Sequence, residues 1–111
     1  MTTEDTVTKI SSVLSDKKAL DIKTYDLRGK PNAFTDFTLV ATANSAPHLK
    51  ALATSVARDM RKVGATHARI SGDSESAWII IDFGDVMTHI FLKEAREYYE
   101  IEELWVKTAK G

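Results

Sequence analysis

The sequence predicts a single α/β (α+β) domain in which helices pack on one mixed five-stranded sheet. Apolar stretches of strand length, such as Phe37–Ala43 and the two within Trp78–Phe91, share the chain with segments of helical periodicity. The 111 residues suit one domain with its own core, and no linker, repeat or low-complexity run divides them. The predicted order of elements is α-β-β-α-β-β-β-α, which is typical of helices packed on a sheet.

The first elements are a helix and a strand. Three aliphatic residues recur at helical spacing between Thr3 and Leu14, and acidic residues at the start complement the helix dipole. The stretch DIKTYDL at 21–27 is typical of a strand, and RGKPN at 28–32 of a turn.

The central strand and helix have the clearest patterns. Within Phe37–Ala43, residues 37, 39 and 41 share one face, and residues 38, 40 and 42 share the other. Ser45 is a suitable N-cap for the following helix, with Pro47 in its first turn and Gly64 as its C-terminal cap. One apolar stripe of this helix predicts its buried face: Leu49, Leu52, Ala53, Val56, Ala57, Met60 and Val63.

The last part of the chain contains the remaining strands. A short strand is predicted at His67–Ile70, a polar loop at 71–76, and a hairpin at Trp78–Leu92. Lys93–Tyr99 is predicted to be helical, and Ile101–Val106 to form a last helical turn.

Composition excludes several classes of protein. The absence of cysteine removes disulfide frameworks, thiolate nucleophiles and cysteine zinc sites. No apolar run reaches the ~20 residues of a membrane span, and the acidic N-terminus resembles no targeting peptide, so we expect a cytoplasmic protein. Residues 48–70 are mainly basic and residues 82–104 mainly acidic. This asymmetry fits either two solvated surfaces of opposite charge or an acidic surface that faces a basic partner. The chain lacks the wholly basic surface that is typical of nucleic-acid binding.

Three residues of the hairpin are candidate catalytic or metal-binding residues. Asp82, Asp85 and His89 could act in a nucleotidyltransferase-like or metal-dependent phosphoryl-transfer enzyme. Two carboxylates on one turn make a poor cation cage, even if Asp73 and Glu75 fold over them. The sequence contains no nucleophile elbow and no phosphate-binding glycine loop. A structural explanation also fits: aspartate is favoured in tight turns, and His89 could be a hydrogen-bonded structural histidine.

The apolar residues of the hairpin leave two alternatives open. They supply both faces of two neighbouring strands, so the second face is either covered by helices or exposed as a contact patch. Trp78, Met87 and Phe91 beside an acidic turn are residue types that anchor interfaces. The register across Phe83–Gly84 does not follow from the sequence.

Four stretches, in order, resemble one family. They are SDKKALDI at 15–22, TDFTLVATANS at 35–45, WIIIDFGDVMTHIF at 78–91 and REYYEIEELW at 96–105. The chain resembles the Iojap/RsfS family of ribosomal silencing factors from Val7 to Trp105, and the third stretch is the most specific. It departs from the family at Ala43-Asn44-Ser45, where many members have Gly-Thr-Ser.

The resemblance implies a mixed sheet of nucleotidyltransferase-like topology without catalytic residues or a cofactor. It implies binding to the large ribosomal subunit through its protein fourteen, steric exclusion of the small subunit, and repression of translation under nutrient limitation. A homodimer of the free chain is a further expectation, whereas membrane binding and sequence-specific nucleic-acid binding are not expected. The positions that match the family's contact surface and its Arg-x-x-Tyr segment are Trp78, Asp82, Phe83, Gly84, Asp85, Met87, His89, Arg96 and Tyr99.

Overall fold

The computed structural model describes residues 2–31, 33, 35–73 and 75–99. In chain order the elements are α1 (Thr3–Asp16), β1 (Leu20–Asp26), β2 (Phe37–Ala43), α2 (Ala46–Lys62), β3 (Arg69–Asp73), β4 (Trp78–Asp82), β5 (Val86–Leu92) and α3 (Lys93–Tyr99). This order confirms the predicted class, a mixed α+β fold. The last helical turn predicted at Ile101–Val106 lies outside the described residues.

The five strands form one sheet in the order β1-β2-β5-β4-β3. Only β2 and β5 run parallel among these neighbours, and the other three pairs are antiparallel. Residues in register on neighbouring strands share a face of the sheet. Val40 and Ile80 therefore lie on either side of His89, and Phe91 lies opposite Trp78. The register that the sequence left open is thus set by pairing of β4 with β5.

The main core lies between one face of the sheet and the helices α1 and α2. Thr2 begins α1 with a capping box, because its hydroxyl accepts from the Asp5 N–H and its own N–H donates to the Asp5 carboxylate. Burial of the apolar stripes stabilises this layer by about 1.5–3 kcal/mol for each fully buried large side chain. The fully buried large residues of this layer are Ile10, Leu14, Leu39, Leu49, Leu52, Met60, Val56, Ile81, Val86 and Ile90.

Helix α2 begins and ends as the sequence predicts. The Ser45 hydroxyl accepts from the His48 N–H at 3.2 Å, and Gly64 takes the left-handed conformation (φ +99°) just after the helix. The prediction that Val63 continues the buried stripe is wrong, because Val63 is the C-cap and 44% exposed. The helical periodicity ends with the helix, so the next side chain leaves the core.

Strand β3 is longer toward its C-terminus than predicted. The strand covers Arg69–Asp73 rather than His67–Ile70, so part of the predicted polar loop belongs to the sheet. The reason is non-local, since Ser71, Gly72 and Asp73 pair with Ile80, Ile79 and Trp78 of β4. Cross-strand hydrogen bonds offset the low strand propensity of glycine and aspartate.

Helix α3 contacts the opposite face of the sheet. Ala95 packs there with Val40 and Phe91 in a second, smaller cluster. None of the helices in the described ranges combines the length and the apolar character required to cross a membrane.

Candidate partner-binding surface

The sheet face opposite α1 and α2 brings together side chains of β4 and β5. We call these six residues the outer face: Trp78, Ile80, Asp82, Met87, His89 and Phe91. Strand alternation places them together, because their neighbours Ile79, Ile81 and Ile90 are buried in the main core. Trp78, Ile80, Asp82 and Met87 are partly exposed, whereas His89 is 5% and Phe91 1% exposed. The accessible part of the outer face is therefore an apolar patch with one carboxylate.

Three aromatic rings stack at the end of this face that lies away from the β4–β5 turn. The Trp78 ring centroid lies 5.0 Å from that of Phe91 and 5.9 Å from that of His89, with small interplanar angles. The Trp78 indole N–H donates to Nδ1 of His89 at 3.2 Å. Such stacking contributes about 0.5–1.5 kcal/mol per pair beyond burial. The indole is therefore held in one orientation before any partner arrives.

His89 is a neutral, buried member of this cluster. Burial lowers the pKa of His89 from 6.5 to about 4. Its neighbours in register are Val40 and Ile80, which offer no counter-charge to an imidazolium. Because Nδ1 also accepts the indole hydrogen bond, His89 supports Trp78 and is poorly placed as a general base.

The β4–β5 turn is built by Asp82 and Gly84. Gly84 has φ +88°, a conformation that favours glycine, and its N–H donates to Oδ1 of Asp82 at 2.7 Å. Phe83 donates its N–H to the Val86 carbonyl at 2.9 Å and packs its ring against the main core. Phe83 therefore lies on the side of the sheet opposite Trp78.

Asp85 turns away from Asp82, toward α1 and β2. Its carbonyl accepts the N–H groups of Asp36 (2.9 Å) and Phe37 (3.1 Å), and its carboxylate accepts the Thr3 hydroxyl at 3.4 Å. The two carboxylates thus accept hydrogen bonds from different parts of the fold, that of Asp82 from the turn and that of Asp85 from α1. Within the described residues no three histidine, cysteine or acidic side chains cluster in a way that could hold a metal ion.

Arg96 and Tyr99 lie on α3. The Arg96 side chain is 8% exposed, and its guanidinium donates to the Thr42 hydroxyl (2.7 Å) and the Asp21 carbonyl (2.8 Å). This geometry attaches α3 to the sheet and leaves little of Arg96 for a partner. Tyr99 is the last residue of α3, and its side chain lies outside the described part of the structure.

Three further residues lie beside these positions, and the sequence did not predict any of them as partner-binding. Ile80 lies between Trp78 and Asp82 on the outer face, as strict alternation along β4 would have shown. Arg69 and Asp73 of β3 lie opposite Asp82 and Trp78, and they give the face a mixed-charge rim. No local signal could have placed them, because the extent and register of β3 follow only from its pairing.

Comparison with known proteins identifies the family. The model of the family "Ribosomal silencing factor during starvation" matches residues 1–111. The chain is 32% identical to the ribosomal silencing factor RsfS of Halalkalibacterium halodurans over 85% of the chain and 80% of that protein. It is 36% identical to RsfS of Chromobacterium violaceum, over 83% of the chain and 75% of that protein. A crystal structure from Chromobacterium violaceum superposes with a TM-score of 0.89 at 32% identity, covering 95% of this chain and 87% of that one. The chain therefore belongs to the RsfS family of ribosomal silencing factors.

Proposed function

We propose that this protein silences ribosomes in the cytoplasm by binding the large subunit through its protein fourteen. The bound domain blocks joining of the small subunit by occupying the space between them, and it acts when nutrients are scarce. The family match supports a ribosome-associated silencing role. The action requires affinity and placement alone, with no reaction and no cofactor.

The observation that carries the proposal is the open patch on the outer face. Trp78, Ile80 and Met87 remain partly exposed on the side of the sheet that α1 and α2 do not cover. Tryptophan often contributes a large part of the binding free energy of an interface. When its neighbours already fix its ring, it buries a large area and loses little entropy on binding. Asp82 adds a carboxylate that can bind lysine or arginine of a basic ribosomal protein.

The turn supplies a second set of contacts near its tip. Gly84 and Asp85 are exposed there, and Glu94 and Glu97 are exposed on α3, which follows the other end of β5. Ribosomal proteins are basic because they lie on RNA, so opposite charges would speed docking and orient it. We propose that His89, Phe83 and Arg96 act indirectly, since their side chains are already engaged within the domain.

Co-sedimentation with purified large subunits tests the proposal. Trp78→Ala should weaken binding by roughly thirtyfold, because losing a central aromatic anchor typically costs about 2 kcal/mol or more. The pair Asp82→Ala with Asp85→Ala should weaken binding and reduce its salt dependence.

Two exposed positions far from the outer face provide matched controls. Val63→Ala, at the end of α2, and Asp16→Ala, at the end of α1, should bind like the unmodified protein. Circular dichroism must show every variant folded. Normal co-sedimentation of folded Trp78→Ala would refute the assignment of the outer face.

We also propose that the free chain forms a homodimer through the outer face, because an apolar patch is more stable when covered. Sedimentation velocity over a concentration series should then show dimers that large subunits dissociate. A monomer at all concentrations would contradict this part of the proposal without affecting the first.

A further inference from the structure

The backbone of Trp78 lies unusually close to Gly72 on the neighbouring edge strand. A Cβ atom on Gly72 would stand 2.2 Å from the carbonyl oxygen of Trp78 and 3.3 Å from its carbonyl carbon. Ordinary van der Waals contact begins at 3.4 Å, more than 1 Å farther away, so any side chain here must move one of the two strands. Gly72 also has φ +83°, which adds strain for any other residue.

The turn between these residues contacts the same backbone carbonyl. The Ser76 hydroxyl lies within hydrogen-bond distance of the carbonyl oxygens of Trp78 (3.0 Å) and Asp73 (2.9 Å). The Ser76 N–H donates to Oδ1 of Asp73 at 2.9 Å. Ala77 has φ +62°, a conformation that costs a non-glycine residue free energy and persists only where its surroundings impose it.

The ring of Trp78 is fixed by a second, independent set of contacts. His89 accepts its indole N–H, and Phe91 stacks on it with centroids 5.0 Å apart. Displacing the Trp78 backbone by about 1 Å would break the alignment of both contacts, because hydrogen bonds and ring stacks weaken over that distance.

We propose that Gly72 is a positioning residue for the outer face. Its missing side chain allows β3 and the turn to place the Trp78 backbone where His89 and Phe91 can hold the indole. The link to ribosome binding rests on the proposed function. Gly72 acts through preorganisation, since an anchor already in its bound orientation loses less entropy on binding.

The test compares Gly72→Ala with Gly64→Ala. Both glycines have positive φ, but a Cβ on Gly64 would meet nothing within 4 Å, so Gly64→Ala reports backbone strain alone. The readouts are the indole N–H resonance of Trp78, assigned with the help of Trp105→Phe, and co-sedimentation with large subunits. We expect Gly72→Ala to shift the resonance and weaken binding by roughly tenfold, and Gly64→Ala to change neither.

Two results with folded Gly72→Ala would contradict the proposal. An unshifted Trp78 resonance in folded Gly72→Ala overturns the proposal, and so does a shifted resonance with normal binding. If Gly72→Ala fails to fold, Ser76→Ala takes its place: a smaller shift with weaker binding supports the proposal, and no change in either overturns it. If the unmodified protein ignores large subunits, the proposed function fails, while the resonance alone still decides whether Gly72 positions Trp78.

Discussion

Protonation of His89 should destabilise the domain as the pH falls below 6.5. The pKa of His89 is lowered to about 4 by burial, while the unfolded chain has the ordinary value of 6.5. The unfolded state therefore binds a proton more readily than the folded state between these values. Stability from this residue is fully present above pH 6.5 and is lost as the pH falls toward 4.

The magnitude follows from the size of the pKa shift. Each pKa unit corresponds to 1.36 kcal/mol, so the whole effect of His89 amounts to roughly 3 kcal/mol. About 2 kcal/mol of it should be lost between pH 7 and pH 5. This is a large share of the roughly 5–15 kcal/mol that separates folded from unfolded states in small proteins. Two carboxylates also have lowered pKa values, Asp5 beside Thr2 and Asp26 beside Arg28. Their ordinary pKa is 3.8, so their contribution to stability is lost at a lower pH than that of His89.

Urea denaturation at half-unit pH steps measures the effect, with His89→Gln as the test variant. Glutamine retains an acceptor for the Trp78 indole but binds no proton in this range, so its unfolding free energy should vary less between pH 7 and 5. His67→Gln is the control, since His67 is exposed. An unchanged pH slope in His89→Gln, or an NMR titration of His89 near 6.5, would refute the reasoning.

Two further predictions concern stability. Arg96→Met should cost about 2 kcal/mol in thermal denaturation, because the Thr42 hydroxyl and the Asp21 carbonyl lose a charged donor. Arg96→Lys should recover part of that loss, and an unchanged melting temperature in Arg96→Met would contradict the role given to it. Thr88→Val should stabilise the domain by up to about 1 kcal/mol, since the buried Thr88 hydroxyl finds no hydrogen-bond partner among the described residues. A lower melting temperature in that variant would mean that the hydroxyl is satisfied.

Most elements of the fold follow from local patterns in the sequence. The seven-residue strand β2 (Phe37–Ala43) has its predicted bounds, because its β-branched and aromatic residues favour a strand and the cap residue Ser45 begins a helix just after it. Helix α2 was similarly clear from its cap, its stripe and Gly64. Strand β3 was predicted too early in the chain, at His67–Ile70, since Gly72 and Asp73 are in the sheet only through their partners on β4.

The candidate surface was predicted only in part. Met87, His89 and Phe91 share a face because they alternate along β5, but only the register of β4 brings Trp78 beside them, and periodicity could not show that His89 is buried. Phe83 follows Asp82 directly and lies against the main core, because the turn at Gly84 reverses the chain there. The large share of Arg96 that is buried depends on Thr42 and Asp21, which are distant in sequence.

The sequence by itself determined most of the strands and helices, where the tight turns fall, and which family the chain resembles. These properties depend on neighbours a few positions away, where backbone sterics and side-chain period dominate. Only the tertiary structure decided that Trp78 stacks beside His89 and Phe91, that Asp82 and Asp85 contact different elements, and that a side chain on Gly72 would collide with the Trp78 carbonyl. Those outcomes depend on strand register, and register is set by the joint burial of residues far apart in the chain.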